Sequence, residues 1–163
     1  MRNSIAFTKG SKISIIIAII LIAITTIGIS KPIDDYIEFS PKGYEDISRI
    51  VTRNGTIINT TVPDNGEHLE LKFKNDDDLY EVHVVHFKNP FTLMNFWYSF
   101  VSDYSDGLTA SFSAIPLIYG EYNGEYMDMY LSAWYRGVNN LFFAVYGPKR
   151  SVINDLKLQL NRW

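Results

Sequence analysis

Three histidines, an aspartate triplet and a few spaced glutamates are the residues of this 163-residue chain whose types could do chemistry. His83 and His86 lie three apart in a stretch that reads as a strand. Residues three apart on a strand point to opposite faces, so the two cannot reach one ion. His68, on the preceding strand-like stretch, is placed to pair near His83. Zinc asks for three or four convergent ligands at fixed spacing, which these histidines do not offer by sequence. Asp76-Asp77-Asp78 could supply oxygens to calcium, but it lacks the alternate spacing and distal glutamate of an EF-hand loop and reads as a solvated turn. Glu121 with Glu125, or Glu125 with Asp128, could serve acid–base chemistry if a cleft gathered them and shifted their pKa values. The chain has no Gly-x-Ser-x-Gly elbow, no His-Glu-x-x-His and no phosphate-binding glycine loop. With no cysteine it has no thiol nucleophile and no cysteine zinc site. No catalytic, cofactor-binding or metal-ligating residue is assigned on this pattern, and the expectation is a non-enzymatic protein.

The aromatics are the larger unexplained feature. Tyr98, Tyr104, Tyr119, Tyr122, Tyr126, Tyr130, Trp134 and Tyr135 fall in one helical and two strand-like stretches. They read either as an aromatic core or as a sticky face for a protein or glycan, since Tyr and Trp are enriched at interfaces. The second reading makes Tyr122, Tyr126, Tyr130 and Trp134 the candidate interaction residues, and it requires them to be exposed together. Asn54-Gly55-Thr56 and Asn59-Thr60-Thr61 are glycosylation sequons, which makes Asn54 and Asn59 candidate modification sites if this stretch lies outside the cell.

Where the chain sits is read from its first 31 residues. Ile13 to Ile29 runs without a charge, is ten-seventeenths isoleucine, and is closed by Lys12 and Lys31. As a helix it covers about 25 Å, close to a hydrocarbon core of roughly 30 Å. Four of the 15 basic residues lie in these 31 positions and all 18 acidic residues lie after them, which leaves residues 32–163 at about −7. The positive-inside rule then keeps residues 1–12 in the cytoplasm, makes 13–30 a transmembrane signal anchor, and puts the rest outside the cell membrane. The alternative is a signal peptide cleaved after Thr26-Ile27-Gly28 or Gly28-Ile29-Ser30, giving a secreted protein. The acidic balance argues against nucleic acid as a partner.

The remaining elements must position these side chains. Residues 31–35 read as a linker and 36–163 as one extracytoplasmic domain. Ile33 to Phe39 could be a first strand. Ile50-Val51-Thr52 and Thr56-Ile57-Ile58 flank Asn54-Gly55, a strong hairpin signal. Leu69, Leu71 and Phe73 alternate with Glu70, Lys72 and Lys74, a half-buried strand with a polar outer face, and Leu79–Phe87 returns beside it. Asn89-Pro90 opens a helix with Phe91, Met94, Trp97, Tyr98, Val101 and Tyr104 on its apolar face, stopped by Asp106-Gly107. Thr109–Tyr119, Glu125–Tyr135 and Leu141–Tyr146 read as three further strands, with a turn at Asn123-Gly124. Ser151 caps a last helix striped by Ile153, Leu156, Leu160 and Trp163. The expected fold is α+β: a transmembrane helix, then an antiparallel sheet in the order β-β-α-β-β-β-α with two helices packed on one face.

Phe39-Ser40-Pro41-Lys42-Gly43-Tyr44 resembles the Phe-x-Ile-Pro-x-Gly-aromatic opening of small exported domains of methanogenic archaea, described as PsbP-like. Tyr119-Gly120-Glu121-Tyr122-Asn123-Gly124-Glu125-Tyr126, the aromatic strand after it and the closing helix at Val152-Ile153 are similar to the rest of that pattern, over residues 36–163. Ser40 replaces the usual isoleucine, and none of these motifs carries chemistry. The resemblance implies an α+β fold, membrane anchoring or secretion, and a binding or assembly role. The expected function is a membrane-anchored extracytoplasmic binding domain for a protein or envelope component. The alternatives are a hydrolase of cell-surface polymers and a secreted small-ligand carrier, which would need converging carboxylates or an enclosed apolar cavity.

Overall fold

The computed structural model describes residues 33–105 and 111–163. In chain order these form α1 (Asp34–Ile37), β1 (Glu45–Thr52), β2 (Thr56–Ile57), β3 (Thr60–Thr61), β4 (Gly66–Asn75), β5 (Asp78–Phe87), α2 (Pro90–Tyr104), β6 (Ser111–Ile115), β7 (Tyr119–Tyr126), β8 (Met129–Arg136), β9 (Leu141–Gly147) and α3 (Arg150–Arg162). Seven strands make one antiparallel sheet in the order β1-β4-β5-β9-β8-β7-β6, and β2 pairs with β3 apart from it. After β5 the chain passes through α2 to the far edge of the sheet and returns as the meander β6 to β9, which brings β9 back beside β5.

Both faces of this sheet are covered, because its central strand is apolar on both. In β9, Leu141, Phe143 and Val145 face one way and Phe142 and Ala144 the other, and all five are buried. A continuous apolar run is what a strand buried on both sides requires. On the first face Leu69, Leu71, Phe73, Tyr80, Val82 and Trp134 pack under Ile153, Leu156 and Leu160 of α3, with Ile33, Tyr36 and Phe39 closing the end. On the second face Val85, Phe87, Ala133, Tyr135 and Phe142 pack under Leu93, Phe96, Trp97, Phe100 and Tyr104 of α2.

The expected two helices on one face are therefore corrected: three α-helices and a 3-10 turn at Gly137–Asn139 occur among the described residues, and α2 and α3 lie on opposite faces. The sheet has seven strands where five were expected. No helix among the described residues is long and apolar enough to cross a membrane, so the expected transmembrane helix is not part of the described fold. The signal anchor expected over 13–30, the cytoplasmic segment 1–12 and the Asp106-Gly107 stop lie outside the described residues.

Several local expectations hold. Asn89 accepts a hydrogen bond from the Thr92 amide at 2.9 Å, and Pro90 occupies the first turn of α2. Leu69, Leu71 and Phe73 of the alternation over 67–74 are buried as read, as are Ile153, Leu156 and Leu160 of the last helix's stripe, while Trp163, its fourth expected member, is exposed. Others do not. Ile33–Phe39 contains the short helix α1 rather than a strand, and Ile33 is buried, so residues 33–35 of the expected linker belong to the folded unit. Phe91 and Tyr98 point to solvent, their places on α2 taken by Leu93, Phe96 and Phe100. Lys149, not Ser151, precedes α3, with no side-chain cap.

Two turns also move. Asn54-Gly55 does not join a hairpin: β1 pairs with β4, and the small hairpin is closed at Ile58-Asn59, Ile58 having φ 54°. Gly55 is needed for space instead, since a Cβ there would stand 2.0 Å from His68 Nδ1. The second hairpin turns at Met127-Asp128, with φ 49° and 62°, while Asn123 and Gly124 sit inside β7, paired with Ser132 and Leu131.

Candidate functional site

That second turn decides the fate of the aromatic residues. Because two residues close the hairpin, Tyr126 pairs with Met129 and Tyr122 with Ala133. Even-numbered residues of β7 therefore share a face with odd-numbered residues of β8. Tyr122 and Tyr126 lie on the α2 side, while Tyr130 and Trp134 lie on the α3 side. Tyr122 is 1% exposed and its hydroxyl donates to the Tyr104 carbonyl. Trp134 is fully buried and stacks on Phe143, with ring centroids 5.1 Å apart. Tyr126 and Tyr130 are half-buried. The common exposed face expected of these four does not form. Of the sequon residues, Asn54 and Asn59 are both exposed, and the Asn59 side chain donates to the Tyr126 hydroxyl.

Tyr130 instead helps to line a polar cleft of about 390 Å³ between β7–β8 and the start of α3. Glu121 and Asn123 of β7, Ser132 of β8, and Arg150 and Lys157 of α3 complete its walls. A chain of hydrogen bonds organises its floor. Lys157 Nζ lies 2.6 Å from Glu121 Oε1, the Asn123 amide donates to the same oxygen at 2.7 Å, and Ser132 donates to Asn123 at 2.7 Å. The Tyr119 hydroxyl donates to the other Glu121 oxygen. Burial would raise the Glu121 pKa, but Lys157, Tyr119 and Asn123 pull it down to about 2. Lys157 is held from a second side, over the Trp134 ring at 5.2 Å. Glu121 and Glu125 both border the cleft, as an acid–base pair would require. A carboxylate held near 2 is, however, a weak base and carries almost no proton near neutrality.

A second polar group lies on the other face of the sheet, beyond the end of α2. The register sets Glu70 opposite His83, and Lys72 opposite Glu81 opposite Tyr146. His68 Nε2 lies 2.9 Å from His83 Nδ1, and both rings are buried. The pairing of these histidines is as read from sequence, and His86 is separated from them beside Glu67. Tyr146 stacks flat on His83, 5.6 Å between centroids, and its hydroxyl donates to Glu81. Lys72 Nζ stands 3.0 Å from Glu81 and 3.3 Å from Glu70. Burial, and then the neighbouring His83, lower the His68 pKa to about 4, so His68 is neutral at pH 7. Burial would raise the Glu81 pKa, but His83, Tyr146 and Lys72 bring it down to about 2. Sequence reasoning missed this cluster because its residues lie on three strands with no motif spacing; the alternation of Glu70/Lys72 and Glu81/His83 was its only signal. The Asp76–Asp78 triplet lies at the β4–β5 turn, where Lys149 reaches Asp78 at 2.8 Å.

Comparison of the sequence with protein-family models and with curated proteins gives no match. Among solved structures the fold is similar to the crystal structure of a GTP binding regulator from Thermotoga maritima. The TM-score is 0.53 over 74% of this chain and 82% of that one, at 14% identity. At that identity the likeness is one of fold, a sheet covered by helices, and it carries no residue of the cleft or of the histidine cluster.

Proposed function

We propose that residues 33–163 form a non-enzymatic extracytoplasmic binding domain, which recognises a polar protein segment or glycan of the cell envelope. The observation that carries this reading is the cleft between β7–β8 and α3. It offers a half-buried phenol (Tyr130), side-chain amides and both signs of charge around one concavity. Pre-formed concavities with a few fixed polar groups are how folded domains take small polar ligands. Glu121 and Lys157 neutralise each other, which leaves Arg150, exposed at the start of α3, as the cation open to a ligand's anionic or carbonyl group.

The test is co-sedimentation of the purified full-length chain with isolated cell-envelope material. Tyr130→Ala and Arg150→Glu are expected to weaken binding at least tenfold with little change in melting temperature. Equal binding by wild type and both variants overturns the cleft as the site. External protease on intact cells tests the placement: cleavage beyond residue 32 is expected, and complete protection of a full-length chain refutes display outside.

A further inference from the structure

His83 Nε2 is a buried nitrogen whose nearest protein partner, Glu81, stands too far for an ordinary hydrogen bond. Its side chain is 1% exposed, and Nε2 makes no hydrogen bond. Glu81 Oε2 stands 3.5 Å away, beyond ordinary hydrogen-bond distance. Both protonation states of this nitrogen leave a defect. A proton on Nε2 is a buried donor without a close acceptor, and a bare Nε2 turns a lone pair towards carboxylates. A cation between them removes the defect. Glu70, Glu81 and His83 each offer one ligand atom within 4.8 Å of the other two. Ligands about 2.1 Å from one tetrahedral ion stand roughly 3.4 Å apart, so small rotations of the two half-buried glutamates close the set.

We infer that Glu70, Glu81 and His83 bind a divalent transition-metal ion of the zinc class, with water in the fourth position. The surroundings suit this. His68 Nε2 stands 2.9 Å from His83 Nδ1, a contact that holds a proton between these two nitrogens and turns His83 Nε2 to the glutamates as a ligand atom. A metal-ligating histidine is ordinarily held in this way by a partner on its other nitrogen. Tyr146, flat against the His83 ring, fixes its plane. Lys72 now supplies the cation between Glu70 and Glu81, and with its side chain 34% exposed it can swing to solvent when an ion takes that place. One imidazole with two carboxylates favours zinc-class ions over calcium or magnesium, which take oxygen ligands. The site lies on the opposite face of the sheet from the cleft, so it stands or falls independently of the proposed binding function.

The test is calorimetric titration of ZnCl2 into the full-length chain, kept in mild detergent after metal removal with EDTA and dialysis, at pH 7.5. One equivalent of Zn2+ binding at micromolar concentration or below is expected, with a rise in melting temperature. Glu70→Gln is expected to weaken binding at least tenfold, and Lys72→Gln to strengthen it by removing the competing ammonium. His83→Gln should abolish binding but puts a buried position at risk, so Glu70→Gln at a half-exposed one carries the test. Imidazole 15N spectra give an independent reading, in which Zn2+ is expected to shift His83 Nε2. Absence of binding below millimolar Zn2+ overturns the inference. So does binding untouched by Glu70→Gln, which would put the ion at His86 and Glu67 or at the Asp76–Asp78 turn.

Discussion

Acidification from pH 7 to 4.5 should destabilise the domain through His68 before its carboxylates contribute. His68 is 2% exposed, and burial followed by repulsion from His83 lowers its pKa from 6.5 to about 4. The folded protein therefore refuses a proton that the unfolded chain accepts below pH 6.5. The unfolded state binds more protons between about 4 and 6.5, so stability rises with pH across that window and is fully present above it. At about 1.4 kcal/mol per pH unit the whole drop is worth roughly 3 kcal/mol, of which roughly 2.5 kcal/mol is lost by pH 4.5. Glu81 and Glu121 act in a lower window. Their pKa values of about 2 contribute stability that is present above the ordinary 4.5 and is lost as pH falls from 4.5 towards 2. The assay is urea unfolding at half-unit steps from pH 7.5 to 4, with EDTA present so that protons alone are read. A fall of roughly 2–3 kcal/mol with constant m-value is expected for the wild type, and little slope above pH 4.5 for His68→Gln. A wild-type curve flat between 6.5 and 4.5 would refute the buried, neutral His68, and an equal slope in His68→Gln would assign the effect to another group.

Two substitutions test the packing on either side of the sheet. Trp134→Ala empties a fully buried position stacked on Phe143, and a loss of about 3–5 kcal/mol is expected in chemical unfolding; wild-type stability would mean that the ring faces solvent as a contact residue does. Gly137→Ala would put a Cβ 1.8 Å from the Leu117 carbonyl oxygen, in a turn tied by the Gly137 amide to Ile118. Backbone must move to admit it, so a melting temperature lower by several degrees is expected, and an unchanged one refutes the close approach.

Much of the fold was legible because it is written in local periodicity. The alternation from Leu69 to Phe73, the cap at Asn89-Pro90 and the stripe through Leu156 each follow from nearest-neighbour geometry on a strand or helix. The run Leu141–Val145 also carried the information that both sheet faces must be covered, since apolar residues occupy both parities. That run weighs against placing both helices on one side.

What the sequence could not decide was register. Asn123-Gly124 has the stronger turn chemistry, yet β7 runs on through it because β6 pairs along one edge from Ser111–Asn123 and β8 along the other through Glu125–Tyr130. The ladder on both sides outweighs the turn preference, and the chain reverses at Met127-Asp128 with both residues in the left-handed region. A turn at Asn123-Gly124 would leave Tyr126 on the same face as Tyr130 and Trp134, opposite Tyr122; closing four residues later keeps Tyr126 on β7 beside Tyr122 and across the sheet from the other two, since side chains alternate with a period of two. The four aromatics that share one parity in the sequence are thereby divided between two cores. The same dependence on register gathers Glu70, Lys72, Glu81, His83 and Tyr146, residues of three strands, into one cluster. Sequence alone determined which residues are apolar, where α2 begins and how charge divides along the chain. Only the pairing of distant strands decided which polar groups meet, because that meeting is a property of the ladder and of no single segment.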